Sequence, residues 1–172
     1  MSKTATRIIL LSDTHGFMDE SLLEKLQWAN EVWHAGDIGS LEVTDRIAAL
    51  KPTRAVYGNI DGAQVRSHYP LNQIFWCQNV KILMTHIAGY PGRYSKRVLA
   101  LIEEHHPQLV ICGHSHILKV MKDPKWGHLH MNPGAAGKHG FHQMRTLLRF
   151  EIEEDEIRHL EVMELGKRGS LT

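Results

Sequence analysis

The sequence predicts an α/β fold: one domain built on two β-sheets. Three observations predict it. Apolar runs of strand length alternate with stretches of helical periodicity through the first sixty residues. The second half turns to shorter runs of alternating polarity, as in antiparallel strands. Small polar clusters follow the apolar runs, where strands would deliver side chains to a sheet edge.

The first run, Ile8-Ile9-Leu10-Leu11 within Arg7 to Ser12, has the continuous apolar character of a strand buried on both faces. A polar turn follows from Asp13 to Gly16. Ser21 to Ala29 carries Leu22, Leu23, Leu26 and Ala29 at helical spacing, with Asp19 or Ser21 as its cap. Glu31 to Ala35 is a second strand ending at Gly36-Asp37. Leu41 to Leu50 is a helix burying Val43, Ile47 and Leu50, and Pro52 ends it. Arg54 to Tyr57 is a third strand ending at Gly58-Asn59. Strands linked by helices run parallel, and ligands of open α/β sheets bind at the carboxyl ends of the strands. The three clusters therefore converge by topology.

Asn72 to Gln78 and Val80 to Thr85 read as a hairpin turning near Gln78-Asn79, with His86 at its end. Tyr90 to Tyr94 is a loop, Lys96 to His105 a helix, and Gln108 to Cys112 a strand ending at Gly113-His114. Antiparallel strands are expected at 117–121, 129–131, 145–152 and 157–163, with turns at Gly127 and Glu154-Asp155. The domain is expected to span residues 1–165, with 166–172 as a flexible tail.

Composition narrows the function. A net charge of +1 over 172 residues provides no bulk basic field for nucleic acid, so a nucleic-acid partner is disfavoured. No apolar stretch reaches membrane-spanning length, and the N-terminal run is too short for a secretion signal. Cys77 and Cys112 lie in apolar runs outside any Cys-x-x-Cys pair. They read as buried free thiols of a reducing, cytoplasmic protein. Oligomerisation is left open, with a homo-oligomer compatible.

The chemistry lies in Asp13-Thr14-His15, Gly36-Asp37, Gly58-Asn59, His86 and Gly113-His114-Ser115-His116. Carboxylate, imidazole and one amide suit borderline divalent ions such as Mn, Fe or Zn. Singly the pieces are weak, since Gly-Asp and Gly-Asn are ordinary turn chemistry and an isolated histidine is usually just hydrogen-bonded. Two imidazoles flanking one small residue after an apolar strand are more specific. The five pieces in order, each at an expected strand end, are more specific still. Asn132-Pro133-Gly134 reads as a shaping loop.

This pattern resembles the calcineurin-like metallophosphoesterase superfamily, in particular its small single-domain bacterial and archaeal phosphodiesterases. The resemblance runs from Ile8 to about Ile152. It implies a four-layer α-β-β-α sandwich of two mixed sheets, with two divalent ions at the strand ends. Manganese leads the expected ions, with iron, zinc or nickel as alternatives. By position, Asp13, His15 and His116 would bind one ion, Asn59, His86 and His114 the other, and Asp37 would bridge both. Asp37, Asn59 and His86 are the residues closest to catalysis, in a reaction where a metal-activated hydroxide attacks a small phosphoester, best a diester. Asn59 would also touch substrate.

Two departures stand out. Larger members carry histidine after the Gly-Asn pair as a candidate general acid, whereas Ile60 stands here. Ile87, rather than glycine, follows His86. The alternative reading is a protein-interaction scaffold like a retromer subunit of the same fold, whose metal site is degraded; the intact ligand set argues against it.

Residues outside the motifs carry weaker expectations. Arg93, between Tyr90 and Tyr94, is a candidate phosphate clamp, and His34 a candidate partner for a ligand carboxylate. His139 and His142 are candidates for the cleft wall, although His128, His130, His139 and His142 all read more simply as exposed. His105 and His106, at a helix end, receive no site.

Overall fold

In the computed structural model, which describes residues 4–169, the first strand lies between two neighbours of opposite sense. β1 (Thr6–Leu11) pairs parallel with β2 (Glu31–His34) and antiparallel with β9 (Met144–Glu153). β3 (Thr53–Ala55) and β10 (Glu156–Lys167) complete a sheet of order β10-β9-β1-β2-β3. The second sheet has the order β4-β5-β6-β8-β7, from β4 (Asn72–Cys77), β5 (Val80–Thr85), β6 (Leu109–Ile111), β7 (Lys119–Lys122) and β8 (Leu129–Asn132). Both sheets are mixed.

The period-2 alternation of β1 divides its apolar run between two cores. Ile8 and Leu10 face the second sheet, packing in one cluster with Trp33, Ile82, Met84, Ile111 and Phe150. Ile9 and Leu11 face outward onto Leu22 and Leu26 of α1 (Glu20–Leu26) and Val43 and Ile47 of α2 (Leu41–Ala48). On the far side, Leu83 and Val110 pack against Val98 and Ile102 of α4 (Lys96–His105). The result is the expected four-layer α-β-β-α sandwich. Asp19 caps α1, its Oδ1 accepting from the Leu22 amide at 2.9 Å.

Several sequence expectations need correction. α3 (Ala63–His68) was not anticipated, because six residues burying only Val65 leave almost no periodic signal. β8 runs parallel to β6 and is antiparallel only to β7, so one of the four late strands continues the parallel core. β10 extends past the expected boundary at 165: Gly166 pairs with Arg145 and Lys167 with Met144. Of the expected tail, residues 170–172 lie outside the described residues. His128 and His130 are buried. His130 Nδ1 lies 2.7 Å from the Tyr94 hydroxyl, and His128 Nε2 3.0 Å from it.

Candidate metal centre

The loops that follow β1, β2, β3, β5 and β6 meet at one edge of the sandwich, laced together by backbone hydrogen bonds. The Asp13 amide donates to the Gly36 carbonyl (2.9 Å), the His15 amide to the Asp37 carbonyl (3.0 Å), and the Gly113 amide to the His86 carbonyl (3.0 Å). Asp13, His15, Asp37, His114 and His116 all have left-handed backbones, with φ of 55°, 46°, 53°, 71° and 59°. Such conformations are costly for non-glycine residues and concentrate at functional sites. They turn each chain sharply off its strand and aim the side chains inward.

The motif glycines have a steric reason. A Cβ on Gly58 would stand 2.0 Å from Asp37 Oδ1, and one on Gly113 2.0 Å from Ser12 Oγ and 2.8 Å from Asp13 Oδ2. Only a residue without a side chain lets these loops approach the carboxylates so closely.

Two groups of donor atoms result. Asp13, His15 and His116 form one, and Asp37, His86 and His114 the other; within each, the ligand atoms lie within 4.8 Å of one another. Asp37 Oδ2 is 3.5 Å from His15 Nε2 in the first group and 3.2 Å from His86 Nε2 in the second. Its other oxygen accepts from the Ile60 amide at 3.1 Å. Asp13 divides its carboxylate similarly. Oδ2 accepts from Ser12 Oγ (2.7 Å) and the His114 amide (3.1 Å), while Oδ1 faces His116 Nε2 at 3.1 Å. Asn59 Oδ1 is 2.9 Å from His114 Nδ1, which puts the amide beside the second group.

This donor set fits divalent metal ions. Asp13 Oδ1, His15 Nε2 and His86 Nε2 are buried without a hydrogen-bond partner among the described residues, a costly state that a cation relieves. His86 Nδ1 lies 2.8 Å from the Ala35 carbonyl; donating there leaves the Nε2 lone pair free for a metal. Burial tends to raise the Asp13 carboxyl, but His116, His86 and Ser12 outweigh it and hold it below its ordinary range. Burial likewise opposes, and His86 and the Ile60 amide outweigh, for Asp37. Burial lowers His15 against the pull of Asp37 and Asp13, favouring the neutral, ligating imidazole. Burial also pulls His86 down, yet Asp37 and Asp13 leave it raised, so protons compete with an ion there.

Two supports lie behind the ligands. Asp61 is buried and accepts three backbone amides. Its Oδ2 receives Gly58 (2.8 Å) and Ile38 (3.1 Å), and its Oδ1 receives Gly39 (2.8 Å). It clamps the Asp37 loop to the Asn59 loop. The spacing Asn59-x-Asp61 was its only sequence signal. His34 serves the backbone instead of a ligand carboxylate. The Gly36 amide donates to its Nδ1 (3.1 Å), which leaves Nε2–H for Thr14 Oγ1 (2.9 Å). Burial pushes its pKa down to about 4, in keeping with a neutral ring. Asn132 shapes the His114 loop as expected, donating to the Gly113 carbonyl at 2.9 Å and to Ser115 Oγ at 3.1 Å.

A cleft of about 550 Å³ opens over the two groups, with Ile60, Phe141, His139 and His142 in its walls. The His139 ring stacks on His15 with centroids 4.7 Å apart, and the His142 ring meets His116 edge-on at 5.2 Å. Arg93 is exposed and lines neither this cleft nor the adjoining one beside His86. The arginines that line the adjoining cleft are Arg66 and Arg97.

Residues 6–155 match the calcineurin-like phosphoesterase superfamily domain. The chain belongs to that superfamily. A probable metallophosphoesterase of Methanothermobacter thermautotrophicus is 25% identical over 116 residues. The match covers 62% of this chain and 64% of that relative, less than two thirds of its length. Among solved structures, an archaeal phosphodiesterase superposes with a TM-score of 0.71 at 24% identity, covering 91% of this chain and 99% of the other. Wild-type Vps29 of Entamoeba histolytica, crystallised with Zn2+, gives 0.71 at 17% identity over 95% of this chain and 99% of its own. These likenesses show that this superfamily member shares the fold of its neighbours. Among the described residues, no helix is long and apolar enough to cross a membrane.

Proposed function

We propose that this superfamily member hydrolyses phosphoesters, phosphodiesters above all, at a centre holding two divalent ions, and that it works in the cytoplasm. The observation that carries the reading is Asp37 Oδ2, which faces His15 of one donor group at 3.5 Å and His86 of the other at 3.2 Å. Asp13, His15 and His116 would hold one ion, Asn59, His86 and His114 the second, and Asp37 both. When bound, such ions polarise phosphoryl oxygens and lower the pKa of water.

The remaining work falls to this chain. Left-handed turns fix the ligand directions before substrate arrives, and Asp61 and His34 hold the loops that carry them. Ile60 and Phe141 line the cleft mouth as apolar, exposed side chains. The mixed nitrogen and oxygen donors, without thiolate, suit manganese, iron, zinc or nickel.

A second reading, a protein-interaction scaffold, is favoured by the apolar side chains exposed around the centre: Ile60, Ile87, Ile117 and Phe141. A panel of phosphomonoesters and phosphodiesters, assayed on protein reconstituted separately with Mn, Fe, Zn, Ni and Mg, decides between them. Diester turnover that depends on the metal supports the enzyme. Two bound ions without turnover of any ester favour the scaffold.

A further inference from the structure

The adjoining cleft, on the Asn59 and His86 side of the centre, encloses about 400 Å³ and carries Arg66 and Arg97 in its walls with no aspartate or glutamate. Arg97, on α4, donates from Nη2 to Thr85 Oγ1 (3.1 Å) and the Ile87 carbonyl (2.9 Å), and from Nη1 to Asn72 Oδ1. Arg66, on α3, donates from Nε to the Asp61 carbonyl (2.6 Å) and from Nη2 to the Asn59 carbonyl (3.4 Å). Its guanidinium also lies over the Tyr57 ring, 4.6 Å from the centroid. All of these partners are neutral, so among the described residues both guanidiniums are oriented without a carboxylate partner.

Five of the eight other arginines meet a carboxylate. Arg46, Arg54, Arg149 and Arg158 each meet a glutamate, and Arg145 meets Asp19. The two arginines beside the centre thus form a fixed positive wall, and planar guanidinium groups match phosphate oxygens. Fixing them in advance lowers the ordering cost of binding. Ser95 lines the same cleft. The reacting phosphoester already has its place among the seven donors, where the ions would sit, so the arginines are available to a different group.

We infer that this cleft binds a second phosphate group of the substrate, which makes the preferred substrate class a phosphoester carrying another phosphate on the Ile87 side. The inference rests on the phosphoesterase reading above. The test compares two esters on metal-loaded protein: bis(p-nitrophenyl) phosphate, and a p-nitrophenyl alkyl phosphate ending in a phosphonate. Arg66→Gln should lower the ratio of kcat/KM for the phosphonate-bearing ester over the simple one about 10- to 100-fold, mostly through KM. Arg66→Lys, which keeps the charge, should recover part of it.

An unchanged ratio overturns the inference, whether both activities fall together or neither moves. Equal losses would assign the arginines to the reacting phosphoryl group. Calorimetry on metal-loaded protein supplies a readout independent of turnover. Wild type should prefer propane-1,3-bisphosphonate over propylphosphonate, and Arg66→Gln should lose about tenfold or more of that preference. If neither ester is hydrolysed, the phosphoesterase reading fails while the calorimetric ratio still decides on the cleft; equal preference in wild type and variant rejects it.

Discussion

Replacing Asp61 by asparagine tests whether the metal centre depends on a clamp that is not itself a ligand. The carboxylate accepts amides from Gly58 and Ile38 on one oxygen and Gly39 on the other. Asparagine has the same shape but one acceptor oxygen. Placed toward Gly58 and Ile38, that oxygen keeps two bonds and turns the side-chain NH2 against the Gly39 amide. One donor then loses its partner, and the other two lose charge assistance. A donor left unsatisfied costs about 1–3 kcal/mol. Weakening two charge-assisted bonds to neutral ones adds about 1–2 kcal/mol. Asp61→Asn should therefore lose about 2–5 kcal/mol in urea unfolding. The same change loosens the clamp between the Asp37 loop and the Asn59 loop, which then rests on two neutral bonds, so metal affinity should fall about 10- to 100-fold, as for other groups that orient ligands. All seven candidate ligands remain, so the maximum stoichiometry at saturating metal should not change. A variant with native stability and native metal affinity would refute the clamp.

Two further predictions concern proton chemistry. Ile60 is 47% exposed in the position where a general acid would stand, and both oxygens of the Asp61 carboxylate already accept backbone amides. General-acid help is typically worth ~10²–10⁴-fold, so without it the rate should depend steeply on leaving-group pKa, with nitrophenyl esters fast and alkyl esters slow. A flat plot across aryl and alkyl diesters would identify another donor, with His139 and His142 first to test. His130 is buried, and burial, with smaller contributions from neighbouring His128 and Lys119, lowers its pKa from 6.5 to about 4. The unfolded chain therefore takes up this proton first. Stability from the neutral ring is complete above about pH 6.5 and is lost as the pH falls toward 4, by at most about 3 kcal/mol. His130→Gln should flatten stability between pH 6.5 and 4; an acid dependence identical to wild type would contradict the assignment.

Much of this architecture was legible because its signals are local. The unbroken run from Ile8 to Leu11 announced a strand buried on both faces, and each face proved to own a separate core. The candidate ligand pieces were legible because each follows a strand. Their convergence needed only the parallel order of β1, β2 and β3 and of β5 and β6. What escaped the sequence depends on contacts between distant segments. Asp61 reads as one more turn residue until the amides of Ile38 and Gly39 are brought to it from another loop. Arg66 lies in a helix too short to announce itself, and Arg97 on a helix whose cap and stripe say nothing of a cleft. Arg93 looked better placed only because tyrosines flank it in sequence. The buried Tyr94–His128–His130 group was hidden for the same reason, since β8 sits inside the sheet beside β6 and not at its rim.

Metal stoichiometry decides whether the seven donors form one centre for two ions. Elemental analysis and calorimetric titration with Mn2+ should be run on wild type, Asp37→Ala and His105→Ala. Two ions per wild-type chain are predicted. His105→Ala should match wild type, while Asp37→Ala should weaken both sites together and abolish turnover. A wild-type protein that takes up no transition metal after reconstitution, or an Asp37→Ala variant that binds two ions as tightly as wild type, would rule out a two-ion centre shared through Asp37.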